Sequence, residues 1–146
     1  MPSLASLEAS DSPSKTMISL HVLVVDDDVD AAEAVAALLE LQGHRPALLH
    51  DGLGVLEAAR SFVPDVIIMD LGLPGINGYE AAALLRQERS LDGILLVALT
   101  GWGSEAHKRA SIHAGFDLHL TKPVTYAGLF DVLRKVEPHR MGVPTI

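Results

Sequence analysis

Residues able to bind a cation and a phosphoryl group follow four short apolar segments of this sequence. The segments cover residues 21–25, 66–69, 94–99 and 118–121, and the residues that follow them are Asp26 with Asp27, Asp70, Thr100 and Lys122. In an open parallel α/β sheet, ligands bind outside the carboxyl ends of the strands. If the four segments are strands of such a sheet, these side chains meet at one edge although they are far apart in sequence.

The types of these residues indicate phosphoryl chemistry assisted by a metal ion. Carboxylates within about 4 Å of one another repel by a few kcal/mol per pair at an effective dielectric constant of about 20, and a divalent cation offsets that repulsion. Asp26, Asp27 and Asp70 offer only oxygen ligands, which favours Mg²⁺ first and Mn²⁺ second. Mg²⁺ usually also binds a substrate phosphate. Lys122 is then suited to pair with phosphoryl oxygens, and Thr100 to hydrogen-bond one of them.

Each of these residues also has an ordinary explanation. Asp26 and Asp27 alone are typical of a solvated loop or a helix cap, Asp70 of a turn, and Lys122 of a solvated surface. The combination is much less probable by chance, since all four signals fall at successive strand ends in the right order. We assign the neighbouring Asp28 and Asp30 to helix capping.

Composition excludes several classes of protein. The 146 residues are 49% hydrophobic and 21% charged, which is typical of a single globular domain. The net charge is −8 and the 11 Lys and Arg residues are scattered, so we expect no nucleic-acid partner. The absence of cysteine rules out disulfides and thiolate metal sites. Neither a signal peptide nor an apolar segment of about 18 residues is present, so we expect a cytoplasmic protein without membrane contact.

The chain alternates between predicted strands and predicted helices. We expect a mobile N-terminal extension over residues 1–18, one domain over 19–137 and a tail over 138–146. A further strand over 45–49 contains Pro46, which belongs on a sheet edge. Five strand–helix units with right-handed crossovers predict a flavodoxin-like α/β fold, a doubly wound parallel sheet of five strands in the order 2-1-3-4-5.

Capping residues predict where the five helices begin and end. A capping box from Asp30 to Glu33 opens the first helix and Gly43 ends it, and a left-handed Gly115 ends the fourth. The predicted starts are Asp30, Asp51, Asn77, Ser104 and Thr125, and the predicted ends include Gly43, Gly115 and Pro138.

Four sequence motifs together resemble the receiver domains of response regulators in two-component signalling. The motifs are Val24-Val25-Asp26-Asp27, the stretch from Asp70-Leu71-Gly72-Leu73-Pro74 to Gly78-Tyr79-Glu80, Ala98-Leu99-Thr100-Gly101 and Leu120-Thr121-Lys122-Pro123. The resemblance covers about residues 20–136. Gly72 and the stretch before Lys122 are also similar to receivers attached to hybrid histidine kinases.

The resemblance implies a role for each residue of the edge. Asp70 would accept a phosphoryl group from phosphohistidine on a sensor histidine kinase or a histidine phosphotransfer protein. Asp27, Asp70 and the backbone carbonyl of Gly72 would ligate Mg²⁺, with Asp26 acting through water. Thr100 would follow the phosphoryl group, and Lys122 would neutralise it.

One departure from the family pattern affects the expected switch. His119 stands three residues before Lys122, where the family commonly has Tyr or Phe, and the resemblance gives it the switch role together with Thr100. An equally good interpretation is a solvent-facing histidine on an edge strand. Four further histidines are expected on helix or edge surfaces without shared ligand spacing: His44, His50, His107 and His113.

The resemblance also bears on the lifetime of the phosphorylated form. In the family, the positions of Gly72 and Trp102 flank the path of the hydrolytic water. Gly72 has no side chain to orient that water and an indole can shield the site, so we expect slow dephosphorylation. An exposed Trp102 without a kinetic role is nearly as good an interpretation.

Two classes of function fit these residues. The favoured one is a phosphorylation-controlled signalling module, not a turnover enzyme, that acts by protein–protein interaction or phosphorelay. Only ten residues follow Val136, so we expect no attached DNA-binding output domain. The alternative is a haloacid-dehalogenase-type Mg²⁺-dependent phosphatase, but that family has a second acid two residues after its nucleophile, where this chain has Gly72. A nucleotide-binding Rossmann domain is weaker, because three aspartates replace the glycine-rich turn after the first strand.

Overall fold

Five strands alternate with five helices in the computed structural model, which describes residues 19–101 and 105–140. The strands are β1 (His21–Val25), β2 (Arg45–Leu49), β3 (Val66–Asp70), β4 (Leu95–Thr100) and β5 (Leu118–Thr121). The helices are α1 (Val29–Leu41), α2 (Val55–Phe62), α3 (Gly78–Arg86), α4 (Glu105–Ala114) and α5 (Tyr126–Arg140), with a 3₁₀ turn at Arg89–Leu91. No helix of the described residues is long and apolar enough to cross a membrane.

The strands form one parallel sheet in the order β2-β1-β3-β4-β5, which confirms the predicted flavodoxin-like topology. Pro46 lies on β2, an edge strand, as its missing amide hydrogen requires. Side chains of the central strands alternate between two buried clusters. Leu23 and Val25 pack under α2 and α3, whereas Val22 and Val24 pack under α1 and α5. Burial on both faces explains why the central strands read as continuous apolar segments.

Local capping agrees with the sequence prediction at four places. Asn77 and Glu80 form a capping box at the start of α3, and the Thr125 hydroxyl accepts a hydrogen bond from the Gly128 amide at the start of α5. Gly43 and Gly115 have φ values of +90° and +113°, in the left-handed region that ends a helix at low cost.

The predicted ends of three helices were wrong. The N-cap of α1 is Asp28, whose carboxylate accepts from the Ala31 amide, because the helix begins two residues earlier than the Asp30 capping box implied. The Asp51 carboxylate accepts from the amides of residues 53 and 54, so it caps a turn that precedes α2. Helix α5 continues past Pro138 to Arg140, because the fixed φ of proline is a helical one and only two residues of the helix follow it. Several sequence predictions fall outside the described residues: the 1–18 extension, Trp102, Ser104, the His107 side chain and residues 141–146.

His44 is buried, which contradicts its predicted surface position. The residue is only 4% exposed, and the Leu20 amide donates a hydrogen bond to its Nδ1 atom across 3.1 Å. The turn after α1 places this ring beside the start of β1, where the Arg45 amide also bonds the Leu20 carbonyl. Because Nδ1 accepts, the neutral ring carries its proton on Nε2. Burial lowers the pKa of His44 from its ordinary value of 6.5.

We expect the fold to lose stability as pH falls below the ordinary pKa of histidine. Unfolded chains protonate His44 near pH 6.5, whereas the folded ring protonates only at lower pH, so acid favours the unfolded state in this window. In His44→Asn, the amide oxygen can still accept from Leu20 while the titrating group is gone. Urea denaturation at about pH 7.5 and about pH 5.5 should therefore show a smaller loss of unfolding free energy in this variant than in the wild type.

The matched control for this experiment is His113→Asn on the exposed surface of α4. It should keep the pH dependence of the wild type. An undiminished acid-dependent loss in His44→Asn would show that another group causes it.

Candidate functional site

The carboxyl-terminal edge of the sheet gathers the predicted site residues from four strands. Val25 of β1 lies opposite Met69 of β3, so Asp26 and Asp70 occupy adjacent positions where these strands end. Thr100 ends β4 opposite Thr121 of β5. Both β1 and β3 have neighbours on each side and buried faces, which gives the two aspartates a rigid support.

Three carboxylates form one cluster at this edge. Asp26, Asp27 and Asp70 each present an oxygen atom, and these atoms all lie within 4.8 Å of one another. Asp26 is fully buried, Asp70 is half-buried and Asp27 is exposed. The site is therefore anchored in the protein on one side and open to solvent on the other.

Asp26 has one buried oxygen without a hydrogen-bond donor. Its Oδ1 atom accepts from the Asp28 amide across 3.0 Å, whereas Oδ2 lies 3.2 Å from Lys122 Nζ in a direction that gives an ion pair and no hydrogen bond. Burial raises the pKa of Asp26, and the Asp70 charge adds to that rise against the opposing effects of the Asp28 amide and Lys122. A buried oxygen with this shortage of donors fits a cation ligand, directly or through water.

Asp70 is held as a carboxylate by its contacts. Lys122 Nζ lies 2.8 Å from Oδ2, and the Gly72 amide donates to Oδ1 across 3.0 Å. Burial alone would raise the pKa of Asp70, but the Lys122 and Gly72 hydrogen bonds outweigh it and leave the pKa below its ordinary value. The ionised form, which is the nucleophilic one, is thus the form present at neutral pH.

Lys122 contacts two of the three aspartates, Asp26 and Asp70. Its ammonium group contacts both Asp70 and Asp26, and these carboxylates raise the pKa of Lys122 although partial burial acts to lower it. The Lys122 amide donates to the Thr100 carbonyl across 2.8 Å, and the Lys122–Pro123 peptide is cis. Thr100 is itself only 4% exposed. Its burial fixes the threonine at the end of β4, and the hydrogen bond to its carbonyl fixes the Lys122 backbone beside it.

Gly78 lets the start of α3 lie close to the loop that follows Asp70. A Cβ at Gly78 would lie 2.7 Å from the Asp70 carbonyl oxygen, so α3 can approach the loop only with glycine at this position. A Cβ at Gly72 would meet nothing within 4 Å. Sequence reasoning assigned Gly78 only to a helix start, and its poor helix propensity was the signal that a close approach occurs there.

His119 lies half-buried on β5, opposite Ala98 of β4. It lines a groove together with Lys122, Thr125 and Asp131, beside the carboxylate cluster. Half-burial is intermediate between the two interpretations from sequence, an inward-moving switch and a solvent-facing side chain. Its role remains a prediction.

Comparison with curated proteins gives relatives among response regulators. The chain is 34% identical over 103 residues to the DNA-binding response regulator MtrA of Mycobacterium tuberculosis, an alignment that covers 70% of this chain and 44% of MtrA. It is 32% identical over 117 residues to the response regulator MprA of Mycobacterium ulcerans, covering 80% of this chain and 50% of MprA. The chain thus spans about half the length of these curated relatives.

Solved structures with the same fold include a chemotaxis response regulator and the receiver domain of a sensor histidine kinase. The chemotaxis response regulator CheY4 of Vibrio cholerae is 27% identical with a TM-score of 0.76, over 82% of this chain and 99% of CheY4. The receiver domain of the sensor histidine kinase PA1611 from Pseudomonas aeruginosa, with a magnesium ion in its active-site cleft, is 27% identical with a TM-score of 0.74, over 81% of this chain and 97% of that one.

A family model decides the assignment. The model for the response regulator receiver domain matches residues 22–134, which include four strands in full, all but the first residue of β1 and the whole carboxylate cluster. With this match, the 2-1-3-4-5 sheet and the strand-end aspartates and lysine, the chain belongs to the family of response regulator receiver domains.

Proposed function

We propose that this protein is a phosphorylation-controlled receiver in which Asp70 accepts a phosphoryl group from a phosphohistidine donor. The observation that carries the proposal is the state of Asp70: a half-buried carboxylate, kept ionised by Lys122 and placed within a cluster of two further aspartates. A structural aspartate has no need of two more carboxylates beside it, because their repulsion costs stability.

We further propose that Asp26, Asp27 and Asp70 hold Mg²⁺ or Mn²⁺, with the Gly72 carbonyl as an additional ligand and Asp26 acting through water. The open side at Asp27 leaves room for waters and for the phosphoryl oxygens of the donor. When bound, the ion neutralises charge on the carboxylates and on the transferring phosphoryl group. The Oδ2 atom of Asp26, which is buried and receives no hydrogen bond, supports this proposal independently of the family.

The positions of the side chains support the following transfer step. A carboxylate oxygen of Asp70 attacks phosphorus, the P–N bond to the donor histidine breaks, and its electron pair returns to the imidazole nitrogen. Lys122 Nζ, now 2.8 Å from Asp70 Oδ2, is placed to pair with the phosphoryl oxygens after the transfer. The Thr100 hydroxyl would donate to another of them.

Several kinds of partner fit this chemistry. The donor is a sensor histidine kinase or a histidine phosphotransfer protein, and we place the protein in the cytoplasm, where such donors present phosphohistidine. The phosphorylated form acts through protein–protein contacts or as one step of a phosphorelay, and the similarity to the receiver domain of a sensor histidine kinase supports this. We propose no nucleic-acid or membrane contact for the domain itself.

A phosphatase of external substrates is disfavoured, because Gly72 supplies no general acid.

Phosphorylation should occur on Asp70 alone. We expect incubation with Mg²⁺ and a small acyl phosphate to add one hydroxylamine-labile phosphate per chain, as measured by mass spectrometry. Asp70→Asn should not be labelled because an amide is not a nucleophile. The control is Asp51→Asn, which removes a carboxylate at the same edge but keeps the oxygen that caps the turn. Labelling of Asp70→Asn at the wild-type level, or steady turnover of phosphoesters, would contradict the proposal.

Mg²⁺ should stabilise the folded chain by mass action through Asp27. At a Mg²⁺ concentration about tenfold above the dissociation constant, we expect the free energy of unfolding to rise by about 1.4 kcal/mol. Asp27→Ala should lose most of this gain, whereas Asp30→Ala, which removes the same charge from the first turn of α1, should retain it. Thermal denaturation with and without Mg²⁺ measures both variants. An equal gain in Asp27→Ala would exclude direct ligation by Asp27.

We propose that the signal leaves through the face formed by α4, β5 and α5. Thr100, at the end of β4, and His119, on β5, are at the inner side of this face, and the groove lined by His119, Thr125 and Asp131 opens on it. A phosphoryl group on Asp70 would bias a coupled shift of both side chains. Amide hydrogen exchange should therefore change on phosphorylation within residues 105–136. Changes confined to residues 45–62 would show that this face is not the output surface.

A further inference from the structure

The hydrogen-bond ladder between β1 and β2 stops at the residue that begins the carboxylate cluster. The Asp26 amide donates to the Leu49 carbonyl across 3.0 Å, which is the last backbone rung. In a regular parallel ladder, the amide of residue 51 would then donate to the Asp26 carbonyl. The chain instead turns at Asp51, whose carboxylate binds the amides of residues 53 and 54.

The side chain of His50 occupies the place of the next rung. Its Nδ1 atom lies 3.0 Å from the Asp26 carbonyl oxygen. A carbonyl oxygen can only accept, so this nitrogen carries the proton and donates. His50 is exposed, and burial of the ring therefore does not explain its placement there.

This hydrogen bond acts on the peptide that joins two of the cluster's aspartates. The Asp26 carbonyl and the Asp27 amide belong to one planar peptide unit, so fixing the carbonyl also fixes the direction in which the chain continues to Asp27. The Asp26 carboxylate has its own anchor in the Asp28 amide, whereas Asp27 is exposed. The orientation of the peptide is thus a main determinant of where the Asp27 carboxylate lies relative to Asp26 and Asp70.

We propose that His50 is a positioning residue for the metal site, where its ring-to-backbone hydrogen bond holds the Asp26–Asp27 peptide so that the three carboxylates converge. The inference rests on the proposed function, since it assigns His50 a role in Mg²⁺ affinity. His50 touches neither the phosphoryl group nor Asp70, so it acts on metal affinity and leaves the chemical step unchanged.

Three variants test this role. His50→Ala removes the donor, and His50→Asn keeps one, because the Asn amide nitrogen occupies nearly the position of Nδ1. His113→Ala, at an exposed position of α4, controls for loss of a histidine. We measure the Mg²⁺ dissociation constant by calorimetry, the labelling rate by acyl phosphate at saturating Mg²⁺, and the melting temperature without Mg²⁺.

We expect His50→Ala to weaken Mg²⁺ binding by about 3- to 10-fold, the range of one net hydrogen bond, with a labelling rate at saturating Mg²⁺ close to that of the wild type. His50→Asn should bind Mg²⁺ nearly as the wild type does, and His113→Ala should be unchanged. The inference is overturned by an unaltered dissociation constant in His50→Ala, by failure of His50→Asn to restore binding, or by an equal loss of the saturated labelling rate. Wild-type protein that neither binds Mg²⁺ nor becomes labelled would refute the proposed function itself.

Discussion

Mutual repulsion of three carboxylates is the constraint on which the rest of this structure depends. With oxygen atoms within 4.8 Å of one another, each pair of ionised groups repels by a few kcal/mol at an effective dielectric constant of about 20. Lys122 offsets part of this repulsion by contacting Asp26 and Asp70, but Asp27 has solvent on its open side. The cluster persists because the packed strands leave the backbones of Asp26 and Asp70 no freedom to move apart.

That lack of freedom comes from the two central strands. Residues of β1 and β3 alternate between the two buried clusters, so a shift of either strand along its axis would disturb packing on both faces of the sheet at once. The aspartates follow at the next position, where the continuous apolar segments of these strands end. The packed core thus stabilises the fold against the carboxylate repulsion at the site, which is a common arrangement at functional sites.

The sheet and the position of the site could be predicted because both depend on patterns that are local in sequence. Apolar segments of four to six residues, each ended by a polar residue, define the strands and their carboxyl ends, and Pro46 identifies an edge strand. The parallel topology then brings Asp26 and Asp70 together without further information. Residues such as Asn77 and Gly115 act on their own helix ends, so their effects also follow from sequence.

The features that could not be predicted depend on tertiary contacts. His44 follows a helix-ending glycine and reads as a surface residue, but the start of β1 covers it and supplies the Leu20 amide. His50 likewise reads as an edge residue, and only the turn of the chain at Asp51 frees the carbonyl that it binds. In each case a neighbour distant in sequence sets the environment.

Under the proposed function, Lys122 connects the phosphorylation site on β3 with the ends of β4 and β5. Its side chain binds Asp70 on β3, its amide binds the Thr100 carbonyl on β4, and it directly follows β5, which carries His119. Conversion of the Asp70 carboxylate to an acyl phosphate would move negative charge outward from Oδ2, so the lysine would follow that charge. Because its backbone is tied to Thr100, the displacement would reach the ends of β4 and β5 together. A partner that prefers the displaced arrangement would then bind the phosphorylated form more tightly, by no more than that preference.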